Sequence, residues 1–431
     1  MTVLDAVVSL MRGLRGRFPG LYSFARDMGA RFFSRRLGIY PRPLGDEIRA
    51  VSGVLHGPKW NMAYGRGLAH ERLETAFADY IGVSQAIAVN TGGMALQMSL
   101  RALGLKPGDE VLLQGDTCSA AAFAIMNAGC TPIFSDISAR TFMLPPTIGE
   151  LASEKSKAII ATHMWGNPED MAMLTHVAHA GGQNLIEDAC LALGARSNGK
   201  MAGAAGRVGV FSFGCLKPIQ GGEGGMIVTQ DEVLARELRS LRHWGDRTID
   251  YGVRDAVQLS WNGRMSEIVA AVVHEQLKGY PAYLEKLRAT VADFARFLEG
   301  VEGLDIVLGN ATAVQDCAFT QVVLRLDERK LGLTKQMFRD ALALRNIATW
   351  HANFEPINTL SFYRNDIWRD WILAGDIERA AASYHEDLPV CREVHDNTGL
   401  GISKAHFQAP SLMKALKGHI TACLREGRGA S

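Results

Sequence analysis

Residues 208–229 read VGVFSFGCLKPIQGGEGGMIVT. Two apolar, β-rich runs enclose a glycine-rich connection that carries a single lysine, Lys217, five residues after Ser212. Lysine is a poor choice for a loop folded back among strands unless its amine is used. Desolvation lowers a lysine pKa and makes a neutral amine available to attack an aldehyde. The glycines at 221, 222, 224 and 225 would let backbone come close to a ligand. Taken alone, the segment leaves a solvent-facing loop lysine equally open.

Upstream, NLIEDACLALGA (184–195) ends an apolar strand on Asp188, where open α/β sheets place ligand-binding groups. A carboxylate there can hold a pyridine nitrogen protonated, the charge that makes the ring of pyridoxal 5'-phosphate an electron sink. The bland alternative is a capping or turn aspartate, but Asp188 precedes Lys217 by one strand-turn-strand unit. Further upstream, AVNTGGMALQMSL (88–100) passes from strand to helix through Gly92 and Gly93. Amides at such a helix start, Met94 included, bind phosphate through orphan donors and the helix dipole. The Ser212 hydroxyl could reach the same phosphate.

From about residue 70 the chain alternates short β-rich runs with longer helical ones, the signature of a parallel sheet covered by helices. Strands are expected in QAIAV, EVLLQ, TPIFSDI, KAIIATHMW, QNLIED, VGVFSFG and GGMIVTQ, with helices in MALQMSLRALG and PEDMAMLTHVAHAGG. A long helix is expected from Met265, with Met265, Ile268, Val269, Val272 and Val273 on its apolar face. It leads to a mixed C-terminal part with strands in LDIVLG and CAFTQVVLRL and a helix in TKQMFRDALALR. The expected division is a basic extension over 1–44, a large domain over 45–275 and a small domain over 276–431.

With 431 residues, 47% hydrophobic, the chain can bury a substantial core. Lys plus Arg (46) nearly cancels Asp plus Glu (45), so no global field recruits nucleic acid, and any anion site must be built locally. Seven scattered cysteines without CxxC spacing argue against a disulfide framework or a zinc site and fit a reducing cytoplasm. No uncharged apolar run reaches the roughly 18–20 residues of a membrane span. The arginine-rich first forty residues are not arranged as a secretory signal. They are read as an extension packed on the body or on a second subunit, with peripheral membrane contact the less favoured alternative.

Lys217, Asp188 and the Gly92 turn together resemble the DegT/DnrJ/EryC1/StrS family of pyridoxal-phosphate sugar aminotransferases, of fold type I. The ordered blocks that carry the likeness are ALGLKPGDEVLL, GCTPIFSDIS, ATHMWGNPEDM, LIEDACLALGA, FSFGCLKPIQGGEGG, SLRHWG and WNGRMSEIVAA. The resemblance implies an α/β fold: a large domain with a mostly parallel seven-stranded sheet between helices, a smaller C-terminal α+β domain, and a homodimer. It also implies that Lys217 carries the cofactor as a Schiff base, that Asp188 partners the pyridinium and that Ser212 binds the phosphate. Asn262 then reaches the phosphate of the neighbouring subunit, and Arg264 lies near the same interface, where it is a candidate for the donor's carboxylate.

Three positions depart from the family pattern. Gly93 stands where threonine is frequent, Cys118 where an aromatic residue stacks on the ring, and Leu191 where a glutamine reaches the phenolic oxygen. The wall of the site is thus less polar and less aromatic. Cys118, Cys190 and Cys215 are read as small packing residues. His163 is a candidate for the substrate side or a satisfied core histidine. Because the dehydratase branch has histidine in place of the lysine, Lys217 favours transamination over deoxygenation. The expected reaction moves an amino group, with L-glutamate as donor, to the keto group of a nucleotide-activated sugar. A cyclitol or open-chain keto acceptor, an elimination, and a cofactor-binding sensor are the alternatives.

Overall fold

The computed structural model describes residues 45–57, 67–246, 255–352, 354–372 and 374–429. The arginine-rich N-terminal segment and most of GPKWNMAYGRG lie outside them.

Seven short runs rich in Val, Ile and Ala form one sheet, as expected from sequence. They are β1 (Gln85–Val89), β2 (Glu110–Gln114), β3 (Thr131–Ser135), β4 (Ser156–Thr162), β5 (Asn184–Asp188), β6 (Val208–Ser212) and β7 (Gly225–Thr229), in the order β1-β7-β6-β5-β4-β2-β3. From β6 to β3 every pairing is parallel, while β7 runs antiparallel to both β1 and β6. Ile87 and Val89 join the core on one face and Ala86 and Ala88 that on the other. Burial on both faces explains why these strands read as continuous apolar runs.

Seven of the helices position the site. In chain order they are α1 (Glu47–Leu55), α2 (Leu68–Ile81), α3 (Gly92–Ala102), α4 (Ser119–Asn127), α5 (Met171–Gly181), α6 (Glu232–Arg242) and α7 (Glu267–Leu298). The start of α7 is fixed by Ser266, whose hydroxyl accepts from the Ile268 amide. Glu267, at its first position, accepts from the amides of Ala69 and His70 and so ties α7 to the start of α2.

The apolar stripe of α7 differs from the expected one. Ala270, Val273, Leu277, Tyr280, Leu284, Leu287, Val291 and Phe294 are buried, whereas Ile268, Val269 and Val272 are half-buried. The buried row drifts around the helix as it passes from the large sheet to the C-terminal part, so a reading of its first turns alone finds a neighbouring face.

Beyond α7, β8 (Leu304–Val307), β9 (Gln321–Leu326), β10 (Thr349–His351) and β11 (Gly399–Ser403) form an antiparallel sheet in the order β8-β9-β11-β10. Helices α8 (Lys335–Ala343) and α9 (Pro410–Gly429) belong to this part, and Phe338, Leu342, Met413 and Leu416 share a core with Leu324 and Ile402. The boundary expected at 275/276 falls inside α7. No helix among the described residues is long and apolar enough to cross a membrane.

Candidate active site

The site forms where β4, β5 and β6 end beside the start of α3. Asp188 is the last residue of β5, pairs with Thr162 of β4 and with Val210 of β6, and is buried. One carboxylate oxygen accepts from the Cys190 amide at 3.1 Å, which turns the chain sharply after the strand.

Helix α3 is capped by Thr91, whose hydroxyl accepts from the Met94 amide at 3.0 Å. Met94 was expected to offer that amide to a phosphate, but the cap has already taken it. The amides of Gly92 and Gly93 remain, without partners inside the helix. A Cβ on Gly92 would lie 2.8 Å from the Ser212 Cβ and 3.1 Å from the Cys190 sulfur, so only glycine fits. A Cβ on Gly93 would meet nothing within 4 Å, so the helix start faces open space. Ser212 accepts a long 3.4 Å bond from the Gly214 amide and keeps its own proton to donate. Two glycine amides, a helix dipole and a hydroxyl together fit a phosphate, and a buried carboxylate at the next strand end fits a ring nitrogen. These residues therefore suit pyridoxal phosphate.

Lys217 is half-buried in the connection after β6, with its amide bonded to the Gly214 carbonyl at 3.1 Å. Burial, reinforced by the Asp188 charge, pushes the Cys190 thiol well above its usual range, and Lys217 pulls the other way. Cys190 thus feels the charges of both residues on which the sequence reading rests, a coupling with no signal in the sequence. Of the glycines after Lys217, Gly221 and Gly225 serve close packing, while Gly222 and Gly224 hold positive φ, at 85° and 140°. A Cβ at Gly221 would be 2.7 Å from Val269 of α7, and one at Gly225 would be 2.5 Å from the Thr91 carbonyl oxygen.

Cys118 is exposed at the N-cap of α4, and Leu191 is half-buried. The reading of the three cysteines as packing residues is corrected for two of them, because Cys118 and Cys215 are both exposed. His163 is also corrected as a substrate residue. It is fully buried, its Nδ1 accepts from the Glu169 amide at 2.9 Å, and its Nε2 faces Glu187 at 2.9 Å. Both ring nitrogens are spent inside the protein.

Asn262 and Arg264 lie on a ribbon. His243 and Asp246 bridge to Asn262 and Ala256, and Asn90 donates its amide to the Gly263 carbonyl at 2.8 Å. The ribbon backbone therefore runs beside the residue that leads into the Gly92 turn. The side chain of Asn262 is exposed, while the Arg264 guanidinium lies 4.3 Å over the Trp244 ring and against His243.

The model of the DegT/DnrJ/EryC1/StrS aminotransferase family matches residues 45–390. A UDP-N-acetyl-3-dehydro-alpha-D-glucosamine 3-aminotransferase of Acidithiobacillus ferrooxidans is 34% identical over 290 residues, 67% of this chain and 76% of that one. An L-glutamine:2-deoxy-scyllo-inosose aminotransferase of Streptomyces kanamyceticus is 34% identical over 59% of this chain and 62% of its own length. Among solved structures, the aminotransferase from Psychrobacter cryohalolentis superimposes with a TM-score of 0.78 at 24% identity, over 90% of this chain and 98% of that one. The chain belongs to the DegT/DnrJ/EryC1/StrS aminotransferase family, with pyridoxal phosphate as its cofactor and sugar aminotransferases among its relatives.

Proposed function

We propose that Lys217 is the lysine that carries the cofactor, that Asp188 partners its ring nitrogen, and that L-glutamate supplies an amino group for a nucleotide-activated keto sugar. The observation that carries this reading is the convergence of Asp188, Ser212, Gly92 and Cys190 at the strand ends beside Lys217.

When bound, pyridoxal phosphate supplies an electrophilic carbon joined to an electron-withdrawing ring. Asp188, buried at the end of β5 and held by the Cys190 amide, would partner the ring nitrogen. The Gly92 and Gly93 amides and the Ser212 hydroxyl would hold the phosphate. The Lys217 amine would take the proton from the donor's α-carbon and deliver it across the transferred nitrogen to the carbon on the cofactor side, acting first as base and then as acid. Leu191 and Cys118 line the site without competing hydrogen bonds.

In the same proposal the enzyme is a cytoplasmic homodimer. The ribbon exposes Asn262 together with Leu259, which is 81% exposed, and a second copy covers both, bringing Asn262 to the partner's phosphate. A cyclitol acceptor is the second reading, favoured by Leu191 and Cys118, since a less polar wall suits a ring without a nucleotide to anchor.

The purified protein should be yellow, bleach with L-glutamate and recover colour with a keto acceptor. Lys217→Ala should be folded but unable to turn over. A colourless wild-type protein that ignores added pyridoxal phosphate would remove the proposal.

A further inference from the structure

The ribbon that carries Asn262 is held from two sides, and one of the residues that hold it leads directly into the Gly92 turn. At the antiparallel bridge between His243 and Asn262 the ladder bonds come from the neighbours. The Trp244 amide donates to the Trp261 carbonyl and the Gly263 amide to the Arg242 carbonyl, each at 3.0 Å. In such a pair the two facing residues exchange no hydrogen bond of their own, so the ladder leaves the Asn262 carbonyl without a donor. Asn90 supplies one. Its side-chain Nδ2 donates to the Asn262 carbonyl at 3.2 Å, while its backbone amide donates to the Gly263 carbonyl at 2.8 Å.

The orientation of the Asn90 side chain follows from what it meets. A carbonyl only accepts, so Nδ2 must face it, and Oδ1 is left buried with no hydrogen-bond partner among the described residues. A buried acceptor left unpaired is unfavourable, so the side chain is turned to serve the ribbon rather than to satisfy itself. The supports on either side are firm. Arg242 donates to Glu74 at 2.6 Å and to the Ala88 carbonyl at 3.0 Å. Gly263 lies so close to α3 that a Cβ would stand 3.0 Å from the Met98 sulfur. Asn262, by contrast, is exposed, and its side chain makes no hydrogen bond to a described residue. Its backbone is fixed and its amide is free to reach outward.

We propose that Asn90 is a positioning residue that acts across the dimer: by holding the Asn262 carbonyl it aims the Asn262 side chain at the partner's phosphate. This inference rests on the proposal above that Asn262 reaches that phosphate. A residue two positions before Gly92 of one protomer thereby sets how tightly the other protomer holds its cofactor.

The test uses hybrid dimers of the full-length chain in which one protomer carries Lys217→Ala, so that only the other develops colour as pyridoxal phosphate is titrated in. With Asn90→Ala on the Lys217→Ala protomer, the coloured site faces an altered ribbon. Half-saturation should then need about three- to tenfold more cofactor than in the hybrid without Asn90→Ala. With Asn90→Ala on the coloured protomer instead, half-saturation should stay within about twofold. Asn90→Asp, which keeps the shape and loses the donor, should reproduce both results. The inference falls if the shift appears in the second pairing, or in neither, because a brace for the residue's own turn would act only there. It also falls if neither variant pairs with the Lys217→Ala or wild-type protomer, since Asn90 then serves assembly. Asn262→Ala on the Lys217→Ala protomer should weaken the coloured site at least as much. If it does not, the reading of Asn262 falls and takes this inference with it, whereas a shift with Asn262→Ala but none with Asn90→Ala overturns this inference alone.

Discussion

Two buried carboxylates near the site respond to pH in opposite senses. Glu187 accepts from His163 and from the amides of Gly203, Ala205 and Gly206. Burial alone would raise its pKa, but the hydrogen bond from His163, with the Gly206 and Gly203 amides, holds it below the usual range. A lowered carboxylate stabilises the fold above its unfolded pKa, and that contribution is lost as pH falls through the folded value. Glu187→Gln should therefore destabilise by about 2–4 kcal/mol at pH 7, with a smaller gap in acid, as read by urea unfolding. Asp116 is the reverse case: burial lifts it to about 7 against the lowering bond from Gln114. The unfolded chain gives up that proton near pH 4, so stability falls as pH rises from there to about 7 and stays reduced above. Asp116→Asn should stabilise by about 2–4 kcal/mol at pH 8 and be near neutral at pH 4. Neither behaviour was legible in the sequence, where Glu187 is only the neighbour of Asp188 and Asp116 an acidic residue after a strand. Burial and the count of donors decide, and both come from chain segments far apart.

At the scale of elements, the large sheet was legible because each strand is an apolar run buried on both faces and bounded by a turn. The small sheet was half legible. LDIVLG and QVVLRL carry branched side chains, but β11 reads GLGIS, and glycine argues against a strand. Gly401 is there because the Gln321 side chain crosses it on the way to Ala352, within 2.8 Å of where a Cβ would stand. The start of α3 shows the same limit at the site. Its glycine turn was readable, yet the cap at Thr91 and the contact of Gly92 with Ser212 depend on packing. Thr91→Val should cost about 1 kcal/mol through the lost cap. Gly92→Ala should cost more and weaken pyridoxal-phosphate binding as well, because its methyl displaces Ser212. Cofactor titration followed by colour separates the two effects.

For the molecule as a whole, α7 is the mechanical link between the two sheets. The Tyr280 hydroxyl donates to the Leu193 carbonyl at 2.7 Å, and Arg288 donates to the carbonyls of Gly194 and Cys317 at 2.7 and 2.9 Å. The loop after Asp188 is thereby fastened to the same rod that carries the C-terminal part. The ribbon beside it leaves Trp244, Val257 and Leu259 exposed, apolar area that the proposed dimer removes from water. Leu259→Asp should shift sedimentation from dimer to monomer and weaken colour retention, if Asn262 acts on the partner's phosphate. A variant that stays dimeric with full colour would separate the ribbon from the interface.

The antiparallel strand β7 also has a consequence for how the chain is made. Its partner β1 leaves the ribosome first, and Gln85 must wait for Thr229 before the ladder between them can close. At roughly 5–20 residues per second, translation of the intervening chain takes about 7–30 s. Throughout that interval QAIAV has an open edge at a growing nascent chain. The strand that leads into the cofactor turn is thus an early segment that must be protected, and a natural point of engagement for a chaperone.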